Sequence, residues 1–232
     1  MLQGWRNLAS VHWRYDAAEV QALLPEGFRA DTYDGSAWVG VIAFSMERIR
    51  IPHLPALGPL SSFPETNVRT YIVDPQGRRG VWFFSLDVTR LVPALVARLT
   101  YHLAYCWATM TVHRIGDLAE YTSTRRWPTA GPASHITVRV GERFEPDEIS
   151  ELDHFLTARW ALGSTWARRP VWARVEHPPW PIHRAELLAV DETLVTAAGL
   201  AAPGGPPTVL WSPGVEVRIG RPRFVGVPAR RR

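Results

Sequence analysis

The sequence predicts one mainly β (α+β) domain, an antiparallel barrel or sandwich with a few peripheral helices. Three observations predict it. Many strand-like segments are separated by short turns rich in Gly or Pro, and few segments carry helical spacing. Hydrophobic residues make up 46% of the 232, with 11 Trp among them, enough to fill one continuous core. The length suits a single domain. We assign it to residues 1–224 and read 225–232 as a basic, disordered tail.

A first helix is expected over Ala17 to Leu24, capped by Asp16 and stopped by the Pro25-Glu26-Gly27 turn. Arg29 to Tyr33 and Ala37 to Arg50 then flank Asp34-Gly35, a dipeptide that accepts the positive φ angles of a tight hairpin. Ile51 to Phe63, with Pro52, Pro55 and Pro59, reads as an extended surface connection that could serve as a lid. Glu65 to Val73 and Val81 to Asp87 form a second hairpin around Pro75-Gln76-Gly77. Leu91 to Arg98 has helical spacing, Tyr105 to His113 and Leu118 to Arg125 are strands around Gly116-Asp117, and Ser134 to Val140 is another. Pro146 suits a first helical position, with Asp147 and Glu148 in the first turn and Ile149, Leu152, Phe155 and Leu156 on one face. Val171 to Val175, Ile182 to Val190 and Val209 to Trp211 complete the strands.

Composition excludes whole classes of chemistry. The chain contains no lysine, so all 26 basic side chains are Arg. Schiff-base catalysis by a lysine amine, lysine-held pyridoxal phosphate and GK[ST] phosphate loops are therefore closed to it. One cysteine, Cys106, forbids an intramolecular disulfide, and no apolar signal run opens the chain, so a cytoplasmic location is expected. No apolar stretch approaches the length of a membrane span, so no membrane association is expected. A net charge of +4, with Arg218, Arg221, Arg223 and Arg230 to Arg232 gathered near the end, raises the question of nucleic acid. Prolines and the shortage of aromatic interleaving there make it read as a solvated tail, and no nucleic-acid partner is expected. The eight His show no HExxH spacing, and GxSxG and GxGxxG are both missing, so neither metal nor dinucleotide is expected. No cofactor is assigned, and the sequence allows a homo-oligomer.

Glu65-Thr66-Asn67-Val68-Arg69-Thr70-Tyr71 is the most informative segment for function. On a strand, Glu65, Asn67, Arg69 and Tyr71 share one face, and Thr66, Val68, Thr70 and Ile72 the other. A carboxylate, an amide, a guanidinium and a phenol make a donor and acceptor set for a small polar ligand. If the hairpin runs regularly from its tip, Ser85 lies near Asn67 and Asp87 near Glu65, an arrangement that a one-residue slip would break. A satisfied internal network is the competing reading of the same residues.

These residues also carry a resemblance. His12-Trp13, Leu24-Pro25-Glu26-Gly27, Asp34-Gly35 with Trp38-Val39-Gly40-Val41, Phe63 to Tyr71, Phe83 to Asp87 and Pro179-Trp180-Pro181 resemble the YqjF-like family of uncharacterised bacterial proteins, over nearly the whole chain. That family is related to the acetoacetate decarboxylase superfamily, which implies an acetoacetate decarboxylase-like antiparallel β barrel around a small polar cavity. By the same resemblance Arg98 matches the decarboxylase arginine, Glu65 the pocket glutamate, and Tyr105 stands where the Schiff-base lysine would be. A phenol cannot form an imine, though it can donate a proton or a hydrogen bond.

The reading is a small-molecule site for an anionic or carbonyl metabolite, bound without Schiff-base chemistry. Arg69 or Arg98 would clamp the anion, Glu65, Asn67, Tyr71, Ser85 and Asp87 would fix polar groups, and Tyr105 with His102 would reach the far end. The alternatives are an imine-independent lyase, isomerase or hydrolase using Glu65, His102 and Tyr105, and a module that docks a protein partner through exposed Trp.

Overall fold

The computed structural model describes residues 1–52, 55–56, 58–90 and 102–226. The helix expected over Leu91 to Arg98, Arg98 itself, and the tail beyond residue 226 lie outside the described residues, as does part of the proline-rich connection. Thirteen strands are present among those described: β1 (Leu2–Tyr15), β2 (Arg29–Ala30), β3 (Ala37–Arg50), β4 (Phe63–Val73), β5 (Arg79–Val88), β6 (Tyr105–Ile115), β7 (Leu118–Trp127), β8 (Ala133–Arg143), β9 (Ala161–Trp166), β10 (Arg169–Glu176), β11 (His183–Glu192), β12 (Thr208–Ile219) and β13 (Arg223–Phe224). Three short helices, α1 (Ala17–Leu23), α2 (Glu151–Thr157) and α3 (Leu194–Ala197), and a 3₁₀ turn over Gly58–Ser61 accompany them.

Five neighbouring strands, β12-β1-β3-β4-β5, form a wall. Its two border strands each divide their outer edge between two partners. β5 pairs in parallel with β9 at Val81 and Trp82 and with β6 from Leu86 to Val88. β12 pairs with β11 at Leu210 and Trp211 and with β10 at Arg218 and Ile219. The arm β6-β7-β8-β11 and the shorter arm β9-β10 therefore each join the two borders, so the pairings return on themselves as a barrel requires.

Each face of the wall carries its own core. Ala9, Val11, Val39, Val41, Val68 and Ile72 pack with Ala119, Tyr121, Ile136 and Val138 of β7 and β8. Ile42, Phe44 and Tyr71 pack with Phe155 and Leu156 of α2, Leu162 of β9, Val175 of β10 and Trp180. A strand buried on both faces loses the polar half of its alternation, which is why β1 gave no period-two signal and was not expected.

Three further expectations are corrected. Asp34 and Gly35 do turn the chain, at φ 50° and 71°, but they close only a Tyr33–Ser36 bridge. β2 pairs with β4 and not with β3. The helix begins at Glu151, not Pro146, because Ser150 caps it by accepting from the Asp153 amide while the Asp153 carboxylate receives the Ser150 amide. β9 went unforeseen between the Trp160 and Trp166 positions. β13 pairs with β10, so Arg223 is folded structure and not loose tail.

Candidate functional site

β4 lies inside the wall, paired with β3 on one side and β5 on the other, so its polar residues are buried by position. Glu65, Asn67 and Arg69 are 3%, 3% and 5% exposed, and Tyr71 is fully buried. As expected they share a face: Asn67 Nδ2 donates to Glu65 Oε1 at 3.2 Å, and Arg69 Nη2 donates to the Tyr71 hydroxyl at 3.3 Å. The opposite face is not solvent but the other core, to which Val68 and Ile72 belong.

Ser85 and Asp87 do not join this set. The hairpin runs regularly from its tip until Arg69 meets Phe83, and then the register shifts, so that Val68 meets Ser85 and Thr66 meets Asp87. Phe84 is the extra residue of a β-bulge, and it moves both side chains to the opposite face. There Arg125 of β7 grips Asp87 through Nη2 at 2.7 Å and Nε at 3.1 Å and donates to Ser85 Oγ at 2.9 Å. Burial raises the Asp87 carboxyl, and the Arg125 hydrogen bond and charge oppose that rise. This cluster is a satisfied buried ion pair, separate from the β4 face.

The Glu65 face borders a cavity of about 50 Å³ enclosed by the wall, β9, β10, α2 and the Trp180 loop. That is room for a few waters or the head of a small organic ion. Lining residues carry five buried polar atoms with no hydrogen-bond partner among the described residues: Trp5 Nε1, Glu65 Oε2, Arg69 Nε, Arg159 Nη2 and Trp180 Nε1. Buried polar atoms are normally paired, so this concentration marks where a ligand's polar groups would be received. Asn67 Oδ1 also has no partner among the described residues.

Both guanidiniums are held firmly. Arg69 donates to the Leu156 carbonyl at 3.0 Å, and its Cζ lies 5.4 Å from the centre of the Trp180 ring. Arg159, directly beyond α2, donates from Nε to the Phe155 carbonyl at 2.8 Å and from Nη1 to Asp31 at 2.5 Å. Behind Arg69, the Tyr71 hydroxyl lies 2.8 Å from the Leu156 carbonyl and 2.7 Å from His12 Nε2. The phenolic proton goes to the carbonyl, so His12 donates from Nε2 and accepts from Ser10 Oγ, 3.0 Å away, at Nδ1. His12 is neutral, since burial and then Arg69 lower its pKa well below the ordinary value. Gly40 sits between His12 on β1 and Arg69 on β4, and a Cβ there would meet His12 Nε2 at 2.3 Å. Only glycine lets the imidazole cross β3 to reach Tyr71.

Burial also governs Glu65. It raises the carboxyl to about 7, helped by the Asp87 charge and resisted by Asn67. The cavity thus presents two guanidiniums, one balanced by Asp31, and a carboxyl poised between its two protonation states at neutral pH.

Tyr105 lines the cavity. His102 does not line it; it stacks on Trp166 at 5.4 Å and lines a separate outer depression. Arg98 lies outside the described residues. Arg159, Trp5 and His177, all cavity residues, were missed. Nothing local marks Arg159, whose acid partner is 128 residues away. Trp180 stands in the Pro179-Trp180-Pro181 segment, whose sequence alone assigns it no role. Among the described residues no group of three or more His, Cys, Asp or Glu is placed to hold a metal, and no helix is long and apolar enough to cross a membrane.

Protein YqjF of Bacillus subtilis (strain 168), itself described as uncharacterized, is 32% identical over 212 residues, covering 91% of this chain and 87% of that protein. An acetoacetate decarboxylase-like enzyme from Sphingomonas wittichii RW1 superposes with a TM-score of 0.64 at 17% identity, over 97% of this chain and 92% of that one. The enduracididine biosynthesis enzyme MppR, solved with pyruvate, superposes with a TM-score of 0.62 at 14% identity, over 96% and 89%. At such identities the likeness concerns fold. Residues 2–216 match DUF2071, described as an uncharacterized conserved protein, and with an acetoacetate decarboxylase-like fold the chain belongs to that family.

Proposed function

We propose that this protein binds a small carboxylate- or carbonyl-bearing metabolite in the cavity beside β4, without covalent capture by an amine. The observation that carries the reading is that donors on Arg69 and Arg159 and one Glu65 oxygen, all buried around one cavity, have no partner among the described residues. Arginine recognises carboxylates through paired N–H groups, and a bound anion would satisfy atoms that are costly to leave unmet. MppR, of the same fold, was solved with pyruvate, an anion of suitable size and chemistry. With no lysine in the chain, attachment to the protein by a lysine imine does not arise.

The test is thermal unfolding against a panel of small carboxylates, oxo acids and aldehydes. A ligand at about 100 times its dissociation constant adds about 2.7 kcal/mol, or roughly 5 to 10 °C for a chain of this size. Arg69→Ala should remove that shift while the variant stays folded. A shift that survives Arg69→Ala places the ligand elsewhere and ends the proposal.

A second reading, proton transfer on the bound molecule, is favoured by Glu65, which has an oxygen without a partner among the described residues and a carboxyl that burial raises to about 7. Such a carboxyl can serve as base or acid at neutral pH, with Tyr105 as a hydrogen-bond donor. Solvent-deuterium exchange into the bound metabolite, lost in Glu65→Gln, would establish it; exchange unaffected by Glu65→Gln would exclude Glu65 as the base.

A further inference from the structure

The arginines near the end of the chain are gathered by the fold into a cleft that the cavity does not use. On β10, Ala173 and Val175 point into one core, so Trp172, Arg174 and Glu176 share the opposite face, where Trp172 is buried against the other core and Arg174 and Glu176 are exposed. Residues paired directly across a ladder share a face, which brings Arg223 beside Trp172 and Arg218 beside Glu176. On the other side Arg174 faces Ala161, and the Gly220 amide donates to the Arg174 carbonyl at 2.8 Å. Small residues on either side of a row of long ones leave a trough. Arg78 and Arg79, from the β4–β5 turn and the start of β5, close one wall, Arg78 lying 5.1 Å over the Trp172 ring.

The resulting cleft measures about 670 Å³, against about 50 Å³ for the interior cavity. Six arginines line it, with one carboxylate, Glu176. Arg78, Arg79 and Arg174 pair with Asp74, Asp31 and Glu176. Arg218, Arg221 and Arg223 are exposed and have no acidic partner among the described residues. Three uncompensated guanidiniums on one concave surface repel one another unless an anion lies between them. Guanidinium forks match phosphate oxygens, and a cleft of this volume is of the size that holds a small molecule.

We propose that this cleft is a second ligand site, distinct from the interior cavity, for a small anion carrying two or more phosphate groups. Arg221 and Arg223 supply the free charge, with Arg218 and Arg174 beside them and Trp172 in the floor.

Calorimetric titration of the whole chain with inorganic triphosphate at physiological ionic strength tests it. One triphosphate should bind per chain, and Arg221→Ala with Arg223→Ala should weaken binding about a hundredfold, roughly tenfold per guanidinium. Both residues are exposed, so the double variant should keep its circular dichroism and its response to cavity ligands. Arg79 is left intact because Asp31 joins it to Arg159. Replacing both residues by Lys should restore part of the affinity, since charge returns without the fork. No binding, or equal affinity in wild type and the Ala variant, overturns the proposal. A single-stranded oligonucleotide that binds more tightly than triphosphate overturns it as well, in favour of a nucleic-acid strand.

Discussion

Glu65 couples this protein to pH through a proton that the folded state holds and the unfolded chain gives up. Its pKa of about 7 when folded stands above the ordinary 4.5, so between those values the native state binds more protons than the unfolded one. Stability is therefore fully present below the unfolded value and falls as pH rises through the folded one, by about 3 kcal/mol in all. Glu65→Gln should flatten this dependence, so that urea midpoints of variant and wild type diverge between about pH 5 and pH 8. Parallel curves would show that Glu65 ionises freely. Arg125 is the opposite case, a charge already paired. Arg125→Ala strands the Asp87 carboxylate and should cost about 3 to 5 kcal/mol in chemical denaturation, whereas adding Asp87→Ala should recover a large part. If the double variant is no more stable than the single, the stranded charge is not what costs. At this scale the sequence disclosed the donors on β4, because strand alternation is local. It could not disclose Arg125 or Arg159, whose partners lie 38 and 128 residues away.

Among elements, the β4–β5 hairpin shows how one residue redistributes a site. The turn chemistry set a register that holds from the tip to Arg69 and Phe83, and in that register Ser85 would have faced Asn67. Phe84 bulges, and from there on the partners differ by one, which sends Ser85 and Asp87 to Arg125. No pattern in Trp82-Phe83-Phe84-Ser85 announces the bulge, since apolar residues there suit either face. Gly40 is the corresponding device on β3, an absent side chain across which His12 reaches Tyr71. Gly40→Ala should push the imidazole off the phenol, combining a lost buried hydrogen bond with local overpacking, for about 2 to 5 kcal/mol. The check is a urea midpoint together with the imidazole resonance of His12 by nuclear magnetic resonance. An unchanged midpoint and an unmoved resonance would mean that β3 yields without strain and that His12 does not depend on the gap. Resemblance marked Trp38-Val39-Gly40-Val41 and His12-Trp13 as family segments, and the close approach of Gly40 and His12 gives a physical reason for both.

For the molecule as a whole, the decisive feature is that one wall serves two cores. β1, β3 and β4 contribute Val11, Val39 and Val68 to one face and Leu8, Ile42 and Tyr71 to the other, so neither core has a complete boundary without the strands of its neighbour. Opening the β6–β8 arm would expose one face of the wall, and releasing β9 and β10 the other. In each case strands that still hold the remaining core would lose half their burial, and the Asp87–Arg125 pair ties β5 to β7 across the first core. Unfolding should therefore be a single transition despite a length at which separate units are common. At about 0.7 kcal/mol per residue near 60 °C, the calorimetric enthalpy should approach 160 kcal/mol and match the van't Hoff value. Two resolved transitions, or a van't Hoff enthalpy near half the calorimetric one, would mean that the arms melt independently. A cooperative wall also bears on the cavity, because Arg69 on β4 and Arg159 beyond α2 keep their spacing only while both cores are intact. Ligand binding and global stability should then rise together, which a local, separately folding pocket would not require.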